Sequence, residues 1–104
     1  VLAELDGAEA AFAFSSGMAA ISAVLMLLSA GDHVVVTDDC YGGTYRILAC
    51  VFRRFGIAAT FVDSSDPAAV QTAIRPETRL LLVESISNPF LKQTDTPAMA
   101  AIAR

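Results

Sequence analysis

Short apolar runs and capped helical stretches alternate along this chain, and that alternation restricts its fold more than any single residue. The apolar runs are Ala10–Phe14, His33–Thr37, Ile57–Val62 and Arg79–Val83. His33–Thr37 reads His-Val-Val-Val-Thr, short and β-branched, as a strand buried on both sides should be. Met18–Leu28 is apolar nearly all round, which predicts a buried helix, stopped by Ala30-Gly31-Asp32. Thr44–Phe55 places Tyr45, Leu48, Val51, Phe52 and Phe55 at helical spacing and ends at Gly56. Asp66 and Pro67 open a short helix to about Ile74, and Asp95 or Thr96 with Pro97 opens the last one. Strands that alternate with helices predict an α/β fold, a parallel sheet with helices on both faces.

In such sheets ligands bind at the carboxyl ends of the strands. Three segments follow strand ends here: Phe14–Gly17, Asp38–Gly43 and Glu84–Asn88. All three could line one crevice. The first is the most telling. Phe14-Ser15-Ser16-Gly17-Met18-Ala19 reads as strand, tight turn and helix, and a helix start presents unpaired N–H groups and partial positive charge to a phosphate. The loop after the third strand, Asp63–Pro67, offers little beyond a helix cap.

Charge and composition remove several functions. Net charge is −4, and the densest basic cluster is Arg53-Arg54. Nucleic-acid binding rests on many cations, so no nucleic-acid partner is expected. Cys40 and Cys50 form no metal or disulfide pattern, which makes the cytoplasm the default compartment. Ala10 to Ala30 is uncharged, but Ser15-Ser16-Gly17 breaks it and Met18–Leu28 is too short to span a bilayer, so no membrane partner is expected. Hydrophobic residues make up 55%, against the usual ~45–50%. The chain starts at Val1 and stops at Arg104 in a helix-like run. It is expected to be a piece of a longer protein. A dinucleotide-binding, Rossmann-like reading is weaker: Asp38 or Asp39 lies about ~20 residues past Gly17, as a ribose-binding acid would, yet one glycine stands where that turn wants three.

Several motifs occur together, in order. Leu5-Asp6-Gly7-Ala8-Glu9-Ala10-Ala11 leads into Phe14-Ser15-Ser16-Gly17-Met18-Ala19-Ala20. Gly31-Asp32-His33-Val34, Asp38-Asp39-Cys40-Tyr41-Gly42-Gly43-Thr44-Tyr45-Arg46 and Glu84-Ser85-Ile86-Ser87-Asn88-Pro89 follow. Over essentially its whole length the chain resembles the Cys/Met-metabolism family of pyridoxal-phosphate (PLP) enzymes, which includes cystathionine γ-synthase, cystathionine β- and γ-lyases and methionine γ-lyase. The resemblance implies that residues 1–104 are part of the large PLP-binding domain of the aspartate-aminotransferase-like fold (fold type I), truncated at both ends. It implies transsulfuration chemistry, β- or γ-elimination or γ-replacement on a cystathionine-like sulfur amino acid, as in a cystathionine γ-synthase or lyase. It also implies a homodimer or homotetramer.

The same resemblance implies roles. Backbone N–H groups of Gly17 and Met18 would hold the cofactor phosphate, with a hydroxyl from Ser16. Tyr41 would stack on the pyridine ring, and its phenol could move protons. Gly42-Gly43 would give that loop its backbone freedom. Asn88 would hydrogen-bond the ring hydroxyl oxygen, and Glu84 would support the site.

Other residues are read more simply. His33 is a strand-start residue with no chemical role. Cys40 and Cys50 are small hydrophobes, Asp38-Asp39 is a solvated capping pair, Ser64-Ser65-Asp66 is a cap, and Arg53-Arg54 is a surface face. A PLP enzyme needs a lysine to hold the cofactor covalently. The only lysine, Lys92, follows Asn88-Pro89-Phe90-Leu91 rather than sitting in the family's serine- and threonine-rich turn. It is read as a surface residue. The family's aspartate for the pyridine nitrogen would lie past Arg104, and the tyrosine and arginine given by a neighbouring subunit before Val1. The chain therefore implies part of a cofactor cradle, inactive in isolation. Ser85-Ile86-Ser87 departs from the family's threonine-proline or serine-proline before the asparagine.

Overall fold

The computed structural model describes residues 1–104. Its centre is strand β1 (His33–Thr37), flanked by β2 (Ala58–Val62) and β3 (Thr78–Leu82) in a three-stranded sheet of order β2-β1-β3. Both pairings are parallel. The β1–β2 register runs without a break from His33↔Ala58 to Thr37↔Val62. The β1–β3 register skips a residue between His33 and Val34, so that Val34 pairs with Leu80.

Every residue of β1 is buried, which is why the run is apolar on both faces rather than alternating. Val34 and Val36 pack with Leu25, Leu48, Phe52 and Ile57 on one face. Val35 packs with Val70 and Met99 on the other. Each fully buried valine is worth about 1.5–3 kcal/mol of transfer free energy. Helices supply these layers: α2 (Gly17–Leu25) and α3 (Gly42–Arg46) with its continuation on the first face, α4 (Pro67–Ala73) and α5 (Thr96–Ala103) on the second. The fold is the expected α/β arrangement with helices on both faces. The expected caps at Asp66 and Asp95 form, and Ser16 supplies one that the sequence reading does not name. Ser16 Oγ accepts from Ala19 N–H at 3.1 Å. Asp66 accepts from Ala68 N–H and Asp95 from Ala98 N–H, each at 3.0 Å.

Four expectations need correction. Ala10–Phe14 is not a strand, because neither β2 nor β3 lies alongside it to share a ladder. Its Phe12 is 83% exposed. Apolar composition alone supplies no hydrogen-bond partner. The helix expected over Met18–Leu28 runs Gly17–Leu25 and buries only Leu25, since only one of its sides meets the sheet; Met26 and Leu27 point outward. The helix expected over Thr44–Phe55 starts at Gly42 and changes pitch: α3, a π turn at Ile47–Val51, then a 3₁₀ turn at Phe52–Phe55. Leu48 and Phe52, four residues apart, both face the core. The stretch closes on Gly56 at φ 79°, a left-handed geometry suited to glycine. The last two strands and α4 differ from expectation by one residue at their ends, and a short helix α1 (Leu2–Leu5) was not expected. No helix is long and apolar enough to cross a membrane.

Candidate active site at the carboxyl ends of the strands

The turn before α2 leaves two backbone N–H groups free. Ser16 caps the helix with its side chain on Ala19, and its carbonyl accepts from Ala20 N–H. The N–H groups of Gly17 and Met18 have no acceptor within the chain. A Cβ placed on Gly17 would meet nothing within 4 Å, so the space beside the turn is open. The protein itself does not crowd this position. What glycine provides is room.

Tyr41 follows the end of β1 at the start of α3. Its N–H donates to Glu84 Oε1 at 3.0 Å, which joins the loop after β1 to the loop after β3. Its ring and the Met18 thioether both crowd Gly43. A Cβ on Gly43 would lie 2.8 Å from Tyr41 Cε1 and 3.0 Å from Met18 Sδ. Only glycine permits that approach. Thr44 Oγ1, buried, donates to Met18 Sδ at 3.9 Å. Met18 therefore contributes a side chain as well as an amide: its thioether is where the α2 turn meets the Tyr41 loop. The Tyr41 ring remains largely exposed, a plate with one open side.

Cys40, the neighbour of Tyr41, is not an activated nucleophile. Burial pushes its thiol pKa up, and the carboxylates of Glu84 and Asp39 push it further, against smaller lowering by backbone hydrogen bonds. Asp39 Oδ2 is buried and receives no donor.

Asn88 sits at the exposed tip of the loop after β3, next to a cis peptide bond to Pro89. It makes no hydrogen bond to the other candidate residues. Its loop is nonetheless well defined. Ser87 N–H donates to the Lys92 carbonyl, and Lys92 N–H to Ser87 Oγ, both at 2.9 Å. Ile86 and Gln93 form an antiparallel bridge beyond them. The structure thus gathers Gly17, Met18, Tyr41 and Glu84 directly and brings the Asn88 loop to the same end of the sheet.

Three side chains given no chemical role in the sequence reading, Lys92, Ser64 and His33, tie strands or their loops together. Lys92 is not simply a surface residue: its ammonium lies 3.4 Å from Asp38 Oδ1 and 3.8 Å from Asp63 Oδ2. Below it, buried Ser64 joins Thr37 at 2.9 Å and Thr94 at 2.7 Å. Ser64 was read as part of a cap; only Asp66 caps. Asp38 is held by Lys92 rather than freely solvated. At the other end of the sheet, His33 spans all three strands, Nδ1 to Thr78 Oγ1 at 2.7 Å and Nε2 to Thr60 Oγ1 at 2.8 Å. Such links join residues tens of positions apart, and no local spacing announces them. The two large hollows, about 410 and 470 Å³, lie beside the Ile47–Ile57 stretch and share no residue with the site.

A parallel sheet covered on both faces, with its polar loops gathered at the carboxyl ends, defines an α/β domain of the cofactor-binding kind. The family model described as Cys/Met metabolism PLP-dependent enzyme matches residues 1–104, and the chain belongs to that family. It is 55% identical over 104 residues to a cystathionine gamma-lyase of Bacillus subtilis (strain 168), covering all of this chain and 27% of that protein. It is 50% identical over 103 residues to a cystathionine beta-lyase of Staphylococcus haemolyticus, covering 99% and 26%. Among solved structures, cystathionine gamma-lyase from Lactobacillus plantarum complexed with L-serine matches with TM-score 0.92 and 47% identity, over 98% of this chain and 27% of that one. The chain spans about a quarter of the length of these relatives. Its fold is that of the PLP-dependent enzymes, and the dinucleotide-binding alternative is not favoured.

Proposed function

We propose that this chain forms one wall of a PLP site in an enzyme that eliminates or replaces a β- or γ-substituent of a cystathionine-like sulfur amino acid. Residues 1–104 are then part of its large, cofactor-binding domain. The observation that carries the reading is the junction of Met18, Gly43 and Tyr41, braced by Glu84, because it sets an anion-seating helix start against an aromatic plate. A flat ring with a phosphate tail has that outline. The relatives named as cystathionine gamma- and beta-lyases support the reaction class.

The residues present fit such a cofactor. The N–H groups of Gly17 and Met18 bind its phosphate, and Ser16, whose oxygen is already an acceptor, donates its hydroxyl proton there. The Tyr41 ring covers one face of the cofactor and keeps water from it. Glu84 holds the Tyr41 backbone, so the plate does not swing with its loop. Asn88 donates its side-chain amide to the ring hydroxyl oxygen. When bound, PLP supplies an electron sink for a carbanion at the substrate α-carbon. The Tyr41 phenol, at the exposed edge of the plate, is placed to exchange a proton with the substrate.

Lys92 is engaged by two carboxylates and is not the covalent anchor, so the isolated chain has no turnover. The cytoplasm is the proposed compartment, and a homodimer or homotetramer the proposed assembly. The test is the full-length protein mixed with PLP. The visible absorbance band of lysine-linked cofactor, and release of a thiol or amino-acid thiol from cystathionine, are expected. A folded full-length protein without that band overturns the proposal.

A further inference from the structure

Lys92 has no part in the function just proposed, yet it occupies the neck of the loop that carries Asn88. We propose that Lys92 is a positioning residue that sets the Asn88 loop against the Tyr41 loop through its ion pairs to Asp38 and Asp63. The inference rests on the proposed contact between Asn88 and the cofactor.

The geometry has two levels. Asn88 to Leu91 form a tip closed at its neck by the two hydrogen bonds between Ser87 and Lys92. Leu91 N–H adds a third, to the Ser87 carbonyl at 3.1 Å. The backbone of Lys92 thus closes the tip, while its side chain reaches out to the loops after β1 and β2. Asp38 begins the segment that ends in Tyr41. Asp63 is itself held, accepting from Ser65 N–H at 3.0 Å and Ser65 Oγ at 2.6 Å. One ammonium therefore sets the tip against a rigid acceptor on one side and the plate-bearing loop on the other. Below this, the buried Thr37–Ser64–Thr94 hydroxyl chain holds the loop's outgoing end without help from Lys92. Removing the charge should leave the fold in place and release only the tip. The three side chains are 35–44% exposed, so the link is modest and weakened by salt.

The test uses the full-length enzyme and reads the PLP dissociation constant by absorbance titration, with apoenzyme thermal midpoint as the structural control. Lys92→Met is expected to weaken PLP binding about fivefold with little change in midpoint. Lys92→Arg restores the affinity, and Asp63→Asn reproduces part of the loss from the other side. Raising salt weakens PLP binding more in the wild type than in Lys92→Met. Adding Lys92→Met to Asn88→Ala should cost nothing further, since the lysine acts through the asparagine. Unchanged affinity in both Lys92→Met and Asp63→Asn, or full additivity with Asn88→Ala, overturns the inference. So does a fall in midpoint that accounts for the whole loss. If Asn88→Ala itself leaves affinity unchanged, or the wild type takes up no PLP, the functional reading fails and this inference with it.

Discussion

The two ends of the same three strands are held by different chemistry. At the amino end one buried imidazole links Thr60 and Thr78 across β1. At the carboxyl end a half-exposed lysine links two carboxylates above a buried hydroxyl chain. The amino end centres on that imidazole, with the Arg75 guanidinium also 3.5 Å from Thr60 Oγ1 and the Arg75 N–H donating to Thr78 Oγ1 at 2.8 Å. The carboxyl end is charged, partly wet and joined also by Tyr41 N–H to Glu84, and all the candidate cofactor residues are there. A sheet can be closed rigidly where nothing must enter. Half-exposed ion pairs leave the contacts between loops at the other end adjustable. Short polar contacts thus fix the strands at one end, while longer ion pairs set the loops at the other.

The largest expected effect tests the amino end. His33→Ala in the full-length protein removes a buried ring and one partner from each of two hydroxyls, at about 3 kcal/mol by denaturant titration, with PLP affinity unchanged. A comparable loss of PLP affinity would break the division between the ends. Ser64→Ala should cost less, about 1–2 kcal/mol, because Thr37 and Thr94 keep their backbone positions. Gly43→Ala carries the test to the site. The added methyl, 2.8 Å from the Tyr41 ring, should weaken PLP binding about tenfold while stability changes little. Tyr41→Phe, which keeps the plate, should bind PLP normally.

The smallest effect is in pH. Burial lowers the His33 pKa below 6.5, with Arg75 adding to the fall and Glu77 opposing it. The unfolded chain then binds the proton more readily than the folded one. The contribution of His33 to stability is complete above pH 6.5 and declines as pH falls toward its folded value. Denaturation midpoints across mildly acid pH should show that decline in the wild type and a flatter profile in His33→Gln.

Sequence patterns disclosed the parts of this fold that depend on neighbours in the chain. The β-branched run His33–Thr37 matches β1 residue for residue, and the capping roles of Asp66 and Asp95 appear as read. Strand order, the ties at both sheet ends and the change of pitch after Arg46 depend on residues far apart. Ala10–Phe14 shows the limit most clearly, since strand composition without a partner gave no strand. For the site, the motifs named Gly17, Met18, Tyr41 and Glu84, and the structure brings them together. They gave no hint that the Met18 thioether accepts from Thr44 beside Gly43. Lys92 lacks the sequence setting of a catalytic lysine, and its ion pairs to Asp38 and Asp63 come from partners too distant in the chain to leave a local signal.

Ties at both ends of a valine-rich sheet also act as a ruler for assembly. A parallel strand slipped by two residues would still present the same faces to the same cores and lose little apolar contact. Such a slip would carry Thr60 about 6.6 Å from the His33 ring and displace Ser64 from Thr37 equally. Neither interaction tolerates that distance. The imidazole and the serine hydroxyl therefore reject, from opposite ends, misaligned sheets that hydrophobic burial alone would accept.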